Sequence, residues 1–358
     1  MGTARRRTIW WDDDHLDAGP GAGAGAVLVI DQRRLPHVYE TARWVSVADA
    51  VDGIADMQVR GAPLIGVAAA HGIALAMADD DSDTSLVDAG ERLCATRPTA
   101  VNLRWAVERM TTALRPMPRA ERAQAARAMA STLADEDAAA CRAIGEGAAS
   151  ALAAIQERTG RAVQILTHCN AGWLACVEWG TATAPVYIAH ERGVPVHVWV
   201  SETRPRNQGA SLTAWELGQA GVPHTLVVDN AAAHLMTTGA VDCVIVGADR
   251  VAANGDVANK IGTCLKAYAA EVHGVPFHVA IPWSTVDWSC PDGGSIPIEE
   301  RSADEVAELG GQRIAPAGTP IRNWGFDVTP ARYVTSFFTP NGPITPDGLD
   351  AWRRSGSA

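Results

Sequence analysis

No Cys-x-x-Cys pair occurs in this chain, and its seven cysteines, an odd number, are scattered at positions 94, 141, 169, 176, 243, 264 and 290. That spacing offers no structural-zinc or dithiol redox motif and fits thiols kept reduced in the cytosol. Positive charge is short as well: 30 Lys and Arg stand against 41 Asp and Glu, a formal charge of −11. A nucleic-acid partner is therefore not expected, because a polyanion binder needs a basic face that releases counterions. A local cluster of basic residues still suffices to hold a single phosphate. No apolar stretch of membrane length is read, and the basic start Met1 to Arg7 soon meets Asp12, Asp13 and Asp14 without an apolar h-region. The expectation is a cytoplasmic protein, neither secreted nor membrane-anchored. Internal repeats and long low-complexity tracts are missing too, and only four Phe and four Tyr accompany twelve Trp.

At 358 residues there is room for two domains. The first, expected over about 1–160, opens with Trp10 and Trp11, passes a Gly-Ala linker or hairpin at Gly19 to Gly25, and reaches the apolar run Val27 to Ile30. A small antiparallel sheet is expected there. From Ser46 the period becomes helical, with Val47, Val51, Ile54 and Met57 on one face, a small apolar run after Pro63, a helix after Thr99 and a long Ala-rich stretch from Ala120 to Ile155. After Gly160 short β-rich runs at about 163–167, 195–200, 224–228, 242–246 and 276–281 alternate with helical segments at about 172–191, 211–220, 230–238 and 262–273. Strands separated by helix-length segments predict βαβ crossovers and a mostly parallel, doubly wound sheet over about 161–358. The fold class is α/β, with a mainly helical domain first.

Ligands bind outside the carboxyl ends of parallel strands, so the residues that close those runs carry the functional signal. Two runs end in reactive groups: Gln164 to Gly172 delivers Cys169, and Asp242 to Arg250 delivers Asp249. Cys169 precedes Gly172, expected to open a helix whose positive end favours a thiolate; its alternative is a buried structural thiol. Asp249 is either an N-cap or an ion-pair partner of Arg250, or a carboxyl desolvated in a cleft and kept protonated as a general acid. Arg60-Gly61-Ala62-Pro63 makes a phosphate cradle plausible on chemical grounds, with free N–H groups, a close-approaching backbone and a planar cation. Arg97 before Pro98-Thr99 and Lys260 in Asn259 to Thr263 repeat the theme. Gln208, beyond another strand end, offers an amide to a phosphate or sugar hydroxyl. The histidines show no metal-ligand spacing and are expected in structural or solvated positions.

These motifs, with Glu202-Thr203-Arg204-Pro205, Gly247 to Asp256, Ile298 to Arg301 and Phe326 to Pro330, occur along nearly the whole chain and closely resemble those of the S-methyl-5-thioribose-1-phosphate isomerase family. That family is related to ribose-1,5-bisphosphate isomerases and to regulatory subunits of the translation-initiation guanine-nucleotide exchange factor. The resemblance implies a helical domain with a small sheet, a Rossmann-like catalytic domain, a homodimer, a sugar-phosphate substrate and no metal or organic cofactor. It also implies Cys169 as catalytic thiol, Asp249 as proton donor, and Arg60, Gly61, Ala62, Arg97, Gln208, Asn259 and Lys260 as substrate contacts. The implied reaction converts 5-methylthioribose 1-phosphate to 5-methylthioribulose 1-phosphate in methionine salvage.

Some positions depart from that pattern. Ser211 stands where an Arg is usual and Asn207 where an apolar residue is usual, while Trp173, Trp283 and Trp324 replace smaller residues. The tryptophans are expected either in the core or reshaping the pocket for the C5 substituent. Two alternatives follow: isomerisation of 5-deoxyribose 1-phosphate or ribose 1,5-bisphosphate, and a non-catalytic sugar-phosphate-sensing subunit.

Overall fold

A computed structural model describes residues 7–12 and 25–354. The Gly-Ala linker, save Gly25, lies outside the described residues. Strands β1 (Ile9–Asp12), β2 (Ala26–Ile30) and β3 (Thr41–Trp44) form the expected antiparallel sheet in that order. Ser46 caps α1 (Val47–Ala55) in a reciprocal capping box with Asp49, which satisfies two orphan N–H groups at once.

Pro63 in its first turn starts α2 (Ala62–Asp79), the central helix of the first half. Its glycines let neighbours approach: a Cβ on Gly66 would lie 2.7 Å from the Asn102 carbonyl oxygen. Around it pack α3 (Asp83–Thr96), α4 (Val101–Leu114) and the 41-residue α5 (Arg119–Thr159). Gly160, at φ 68°, ends α5 in the left-handed conformation that Gly adopts without a Cβ penalty. By length and composition α2 and α5 are apolar enough to cross a membrane, contrary to the sequence reading, but 89% of α2 is buried inside the protein. The far end of α5 (Ile144, Ala148, Leu152, Ile155) shares a core with the parallel sheet.

That sheet is built from β4 (Val163–His168), α6 (Ala184–Glu191), β5 (Val196–Ser201), α7 (Ala214–Gln219), β6 (His224–Val227), α8 (Ala231–Thr237) and β7 (Cys243–Val246). A β8 (Arg250–Ala252) and β9 (Val257–Lys260) hairpin and α9 (Thr263–His273) follow, before β10 (Phe277–Ala280) and β11 (Val286–Asp287). Next come α10 (Asp304–Ala307), β12 (Glu308–Leu309), β13 (Gln312–Arg313), β14 (Phe326–Thr329), β15 (Ser336–Thr339), β16 (Gly342–Ile344) and α11 (Pro346–Arg354). The seven-stranded order is β16-β15-β10-β7-β4-β5-β6, parallel except for β16. Counted from β4 this is the 3-2-1-4-5-6 order of doubly wound dinucleotide folds, and its switch point lies between β4 and β7. A second sheet, β11-β8-β9-β14, was not foreseen because its strands are two to four residues long.

The helix expected over 172–191 is a correction. Only a three-residue 3-10 turn, Trp173–Ala175, follows Gly172, and α6 begins at Ala184, where Pro185 sets its first turn. Trp179 and Gly180, at φ 68° and 76°, break the intervening chain. The helix whose positive end was expected to start at Gly172 behind Cys169 is therefore not formed. The helical segment expected over about 211–220 is present, opening as a π-helix, Gly209–Thr213, that runs into α7.

Candidate functional site

The C-terminal ends of β4 and β7, adjacent strands at the switch point, carry Cys169 and Asp249 to one cleft of about 550 Å³, counted to its open mouth. All nine site residues expected from sequence line it: Cys169, Asp249, Arg60, Gly61, Ala62, Arg97, Gln208, Asn259 and Lys260. The first turn of α2 forms one wall. Gly61 has φ 98°, and a Cβ there would lie 2.5 Å from Ala175 Cα, so only Gly brings this turn against the 173–175 turn.

Cys169 is 7% exposed and sits at φ 64°, a left-handed position. Its N–H donates to Thr203 Oγ1 at 2.7 Å, and its carbonyl accepts from Thr213 Oγ1 at 2.6 Å. Behind it the buried Glu216 carboxylate accepts from Asn170 Nδ2, the N–H groups of Trp173 and Leu174, and Tyr187 O–H at 2.9–3.0 Å. A Cβ on Gly172 would lie 1.8 Å from Glu216 Oε2, so glycine is required where the chain folds around this carboxylate.

Asp249 neither caps a helix nor pairs with Arg250. Its neighbour's guanidinium instead donates to Asp287 Oδ2 and to the carbonyls of Pro98 and Thr99, at 2.8–3.0 Å, tying the Arg97 loop to β8. The Asp249 carboxyl is raised above its ordinary value because burial outweighs the attraction of Lys260, Arg97, Arg60 and Arg301. A shift in that direction favours the protonated form that a general acid uses.

Burial, with repulsion from Arg301 next, lowers Arg97 to about 10, and its Nε and Nη1 find no hydrogen-bond partner among the described residues. Gln208 Oε1 is likewise buried without a partner. Unpaired buried polar groups are costly, so their convergence on a cleft is the signature of a site that awaits a polar ligand. Lys260 lies on β9 and donates to the Gly325 carbonyl at 3.0 Å; burial, then Arg301, pushes it down to about 8. Asn259 Nδ2 donates to Thr263 Oγ1 at 3.0 Å.

The sequence reading missed Met57, Phe326 and Arg301 in the lining. Arg301 donates to Glu299 Oε2 at 3.1 Å, and Arg97 Nε is 3.8 Å from the same oxygen. Burial works to raise the Glu299 pKa, but those two cations win and hold it low. Arg301 belongs to the Ile298 to Arg301 motif that carries the family resemblance, yet nothing in its local sequence places it in the cleft. Conversely, the three tryptophans considered for the pocket do not line it. Trp173 packs on Trp215 at 5.9 Å between ring centroids, Trp283 stacks on Trp352 at 3.5 Å, and Trp324 is 49% exposed. Ser211 and Asn207 do not line it either; Ser211 Oγ, in the π-helix, donates to the Asn207 carbonyl just before it at 2.9 Å.

His168 lines the cleft as a neutral ring, bonded through Nε2 to the Ile261 carbonyl and lowered to about 3 by burial and then by Lys266. Among the described residues the one convergence of potential metal ligands is Asp137, Cys141 and Cys176, within 4.8 Å of one another. Its Cys176 lines the cleft, and Asp137 accepts the Val177 N–H at 2.7 Å.

The profile of the Initiation factor 2 subunit family matches residues 58–346. A methylthioribose-1-phosphate isomerase of Methylorubrum populi is 55% identical over 342 residues, covering 92% of this chain and 94% of that protein. Among solved structures, the 5-methylthioribose 1-phosphate isomerase of Pyrococcus horikoshii superposes with a TM-score of 0.83 at 39% identity, covering 97% of this chain and 95% of that one. The translation initiation factor eIF-2B subunit delta from A. fulgidus gives 0.78 at 39% identity, covering 95% and 96%.

Proposed function

The chain belongs to the Initiation factor 2 subunit family, and on that footing we propose that it is an aldose–ketose isomerase converting 5-methylthio-α-D-ribose 1-phosphate to 5-methylthio-D-ribulose 1-phosphate in methionine salvage. The observation that carries the proposal is the pairing of Cys169 and Asp249 in one cleft with unpartnered N–H groups of Arg97. A 1-phosphorylated aldose is locked as a cyclic acetal and cannot open spontaneously to an aldehyde, so ring opening needs an acid. Asp249 protonates the ring oxygen as the bond from C1 to that oxygen breaks. Arg60, Arg97 and Lys260, with the N–H groups at Gly61 and Ala62, hold the phosphate, and Gln208 and Asn259 orient the sugar. Cys169 assists movement of the C2 hydrogen to C1, and loss of the C2 hydroxyl proton leaves the ketone. Turnover in heavy water separates the two routes: solvent deuterium at C1 marks a proton carried through an enol, and its absence a hydride shift.

The proposed chemistry uses no metal or organic cofactor, and we place the enzyme in the cytoplasm as a homodimer. Support for the dimer comes from α9, where Leu265, Tyr268 and Val272 are 61%, 43% and 78% exposed on one face.

The likeness to an initiation-factor subunit favours one rival, a sugar-phosphate-sensing subunit without activity. Cys169 and Asp249 argue against it, because a binding module needs no thiol and acid pair. The test is an isomerase assay on methylthioribose 1-phosphate, 5-deoxyribose 1-phosphate and ribose 1,5-bisphosphate, with Cys169→Ser and Asp249→Asn as controls. Turnover of the first substrate in preference to the others, lost in both variants, is expected; no turnover of any of them overturns the enzyme reading.

A further inference from the structure

Cys169 and Thr203 are both held at left-handed φ, 64° and 67°, although neither is glycine. Side chains with a Cβ visit that region rarely and stay there only where the surroundings over-determine the backbone. Thr203 lies just beyond β5, is fully buried and does not line the cleft. Its contacts form a directed chain. The Asp229 carboxylate accepts from the Thr203 N–H at 2.8 Å and from Ser201 Oγ at 2.5 Å, fixing the Thr203 peptide. Thr203 Oγ1 then donates to the Ser201 carbonyl at 2.9 Å, which leaves its lone pairs for the Cys169 N–H at 2.7 Å. His168 Nδ1 lies 3.3 Å from the same hydroxyl.

We infer that Thr203 is a positioning residue for Cys169: its hydroxyl, oriented from Asp229 and Ser201, locks the Cys169 peptide in the left-handed conformation that presents the thiol to the cleft. The strained backbone makes the hydroxyl necessary. An N–H at that position has no strand or helix partner, and without an acceptor the buried loop relaxes toward negative φ and carries the thiol away from the sugar. Small displacements of a reacting group cost rate more than binding. The inference rests on Cys169 being the reacting thiol.

The experiment compares Thr203→Ser with Thr203→Ala, which relieve β-branching equally and differ only in the hydroxyl, alongside Cys169→Ser and the wild type. Each is assayed for kcat and KM on methylthioribose 1-phosphate and checked by thermal melting. Expected are a kcat lowered by about 10- to 100-fold in Thr203→Ala with KM within about threefold, and a kcat within about fivefold of wild type in Thr203→Ser. Equal kcat for the Ala and Ser variants, or a loss confined to KM, overturns the inference while an inactive Cys169→Ser leaves the role of the thiol standing. An active Cys169→Ser overturns both. If Thr203→Ala fails to melt cooperatively, alkylation of Cys169 by iodoacetamide in native Thr203→Ser decides. A rate unlike that of wild type counts against the inference, and a matching rate supports it.

Discussion

The guanidinium of Arg60 donates to both the side-chain oxygen and the backbone carbonyl of Asn170, the second bond at 2.6 Å, and so ties the start of α2 to the residue after Cys169. A planar fork can span two acceptors in this way; an ammonium is a point donor. Arg60→Lys is therefore expected to keep the charge and lose the geometry. Charge-assisted hydrogen bonds of this kind contribute about 1.5–3 kcal/mol, so kcat/KM should fall by roughly one to two orders of magnitude. Steady-state kinetics check this, and a variant within about threefold of wild type would mean the double bond to Asn170 has no catalytic consequence.

Glu216 is a buried carboxylate with four donors, and burial raises its pKa despite them. Glu216→Ala leaves the Trp173 and Leu174 N–H groups, Asn170 Nδ2 and the Tyr187 hydroxyl without that acceptor. An unsatisfied buried donor costs about 1–3 kcal/mol, so a loss of about 3 kcal/mol or more is expected in denaturant unfolding. Glu216→Gln, which keeps one acceptor, should lose less. Gly172→Ala should resemble the Ala variant, because its Cβ lands on the same carboxylate.

Strand ends were legible where chemistry and periodicity coincide. The runs closing at Cys169 and Asp249 are short, apolar and β-branched, and the buried strands β4 and β7 follow them to within one or two residues. The loop after Gly172 was not legible. Its Ala-rich composition reads as helix, whereas a tertiary carboxylate 44 residues downstream, Glu216, captures its N–H groups instead. Arg301 escaped for a similar reason, since its place in the cleft is set by Glu299 and by the Thr99 N–H that anchors that carboxylate at 3.2 Å. Residues placed by long-range polar contacts leave no local period to read.

If Lys260 holds the phosphate as proposed, its amine sets the alkaline limit of substrate binding. Its folded-state value of about 8 lies below the ordinary 10.5, so the amine is cationic below pH 8 and loses its charge above it. KM for the anionic substrate should accordingly be flat below about pH 8 and rise up to tenfold per pH unit beyond it. Lys260→Arg, whose guanidinium stays charged throughout, should remove that bend. A wild-type KM flat from pH 7 to 10 would show that this amine does not meet the phosphate.

The apolar face of α9 gives the oligomer its own test. Leu265, Tyr268 and Val272 recur at helical spacing yet remain exposed, on a helix whose other side buries Ala267 and Ala270 in the sheet. A contiguous apolar surface of this kind marks an interaction site, and a second copy of the chain offers the same face in return. Wild-type protein should therefore elute at twice the 37.7 kDa of one chain in size exclusion with light scattering. The double variant Leu265→Glu with Val272→Glu places like charges across a two-fold contact and should elute as a monomer with an unchanged far-UV spectrum. The substituted positions lie outside the cleft lining, so substrate-binding affinity in the monomer should stay within about threefold of wild type. A variant that remains dimeric would place the interface on another face of the molecule.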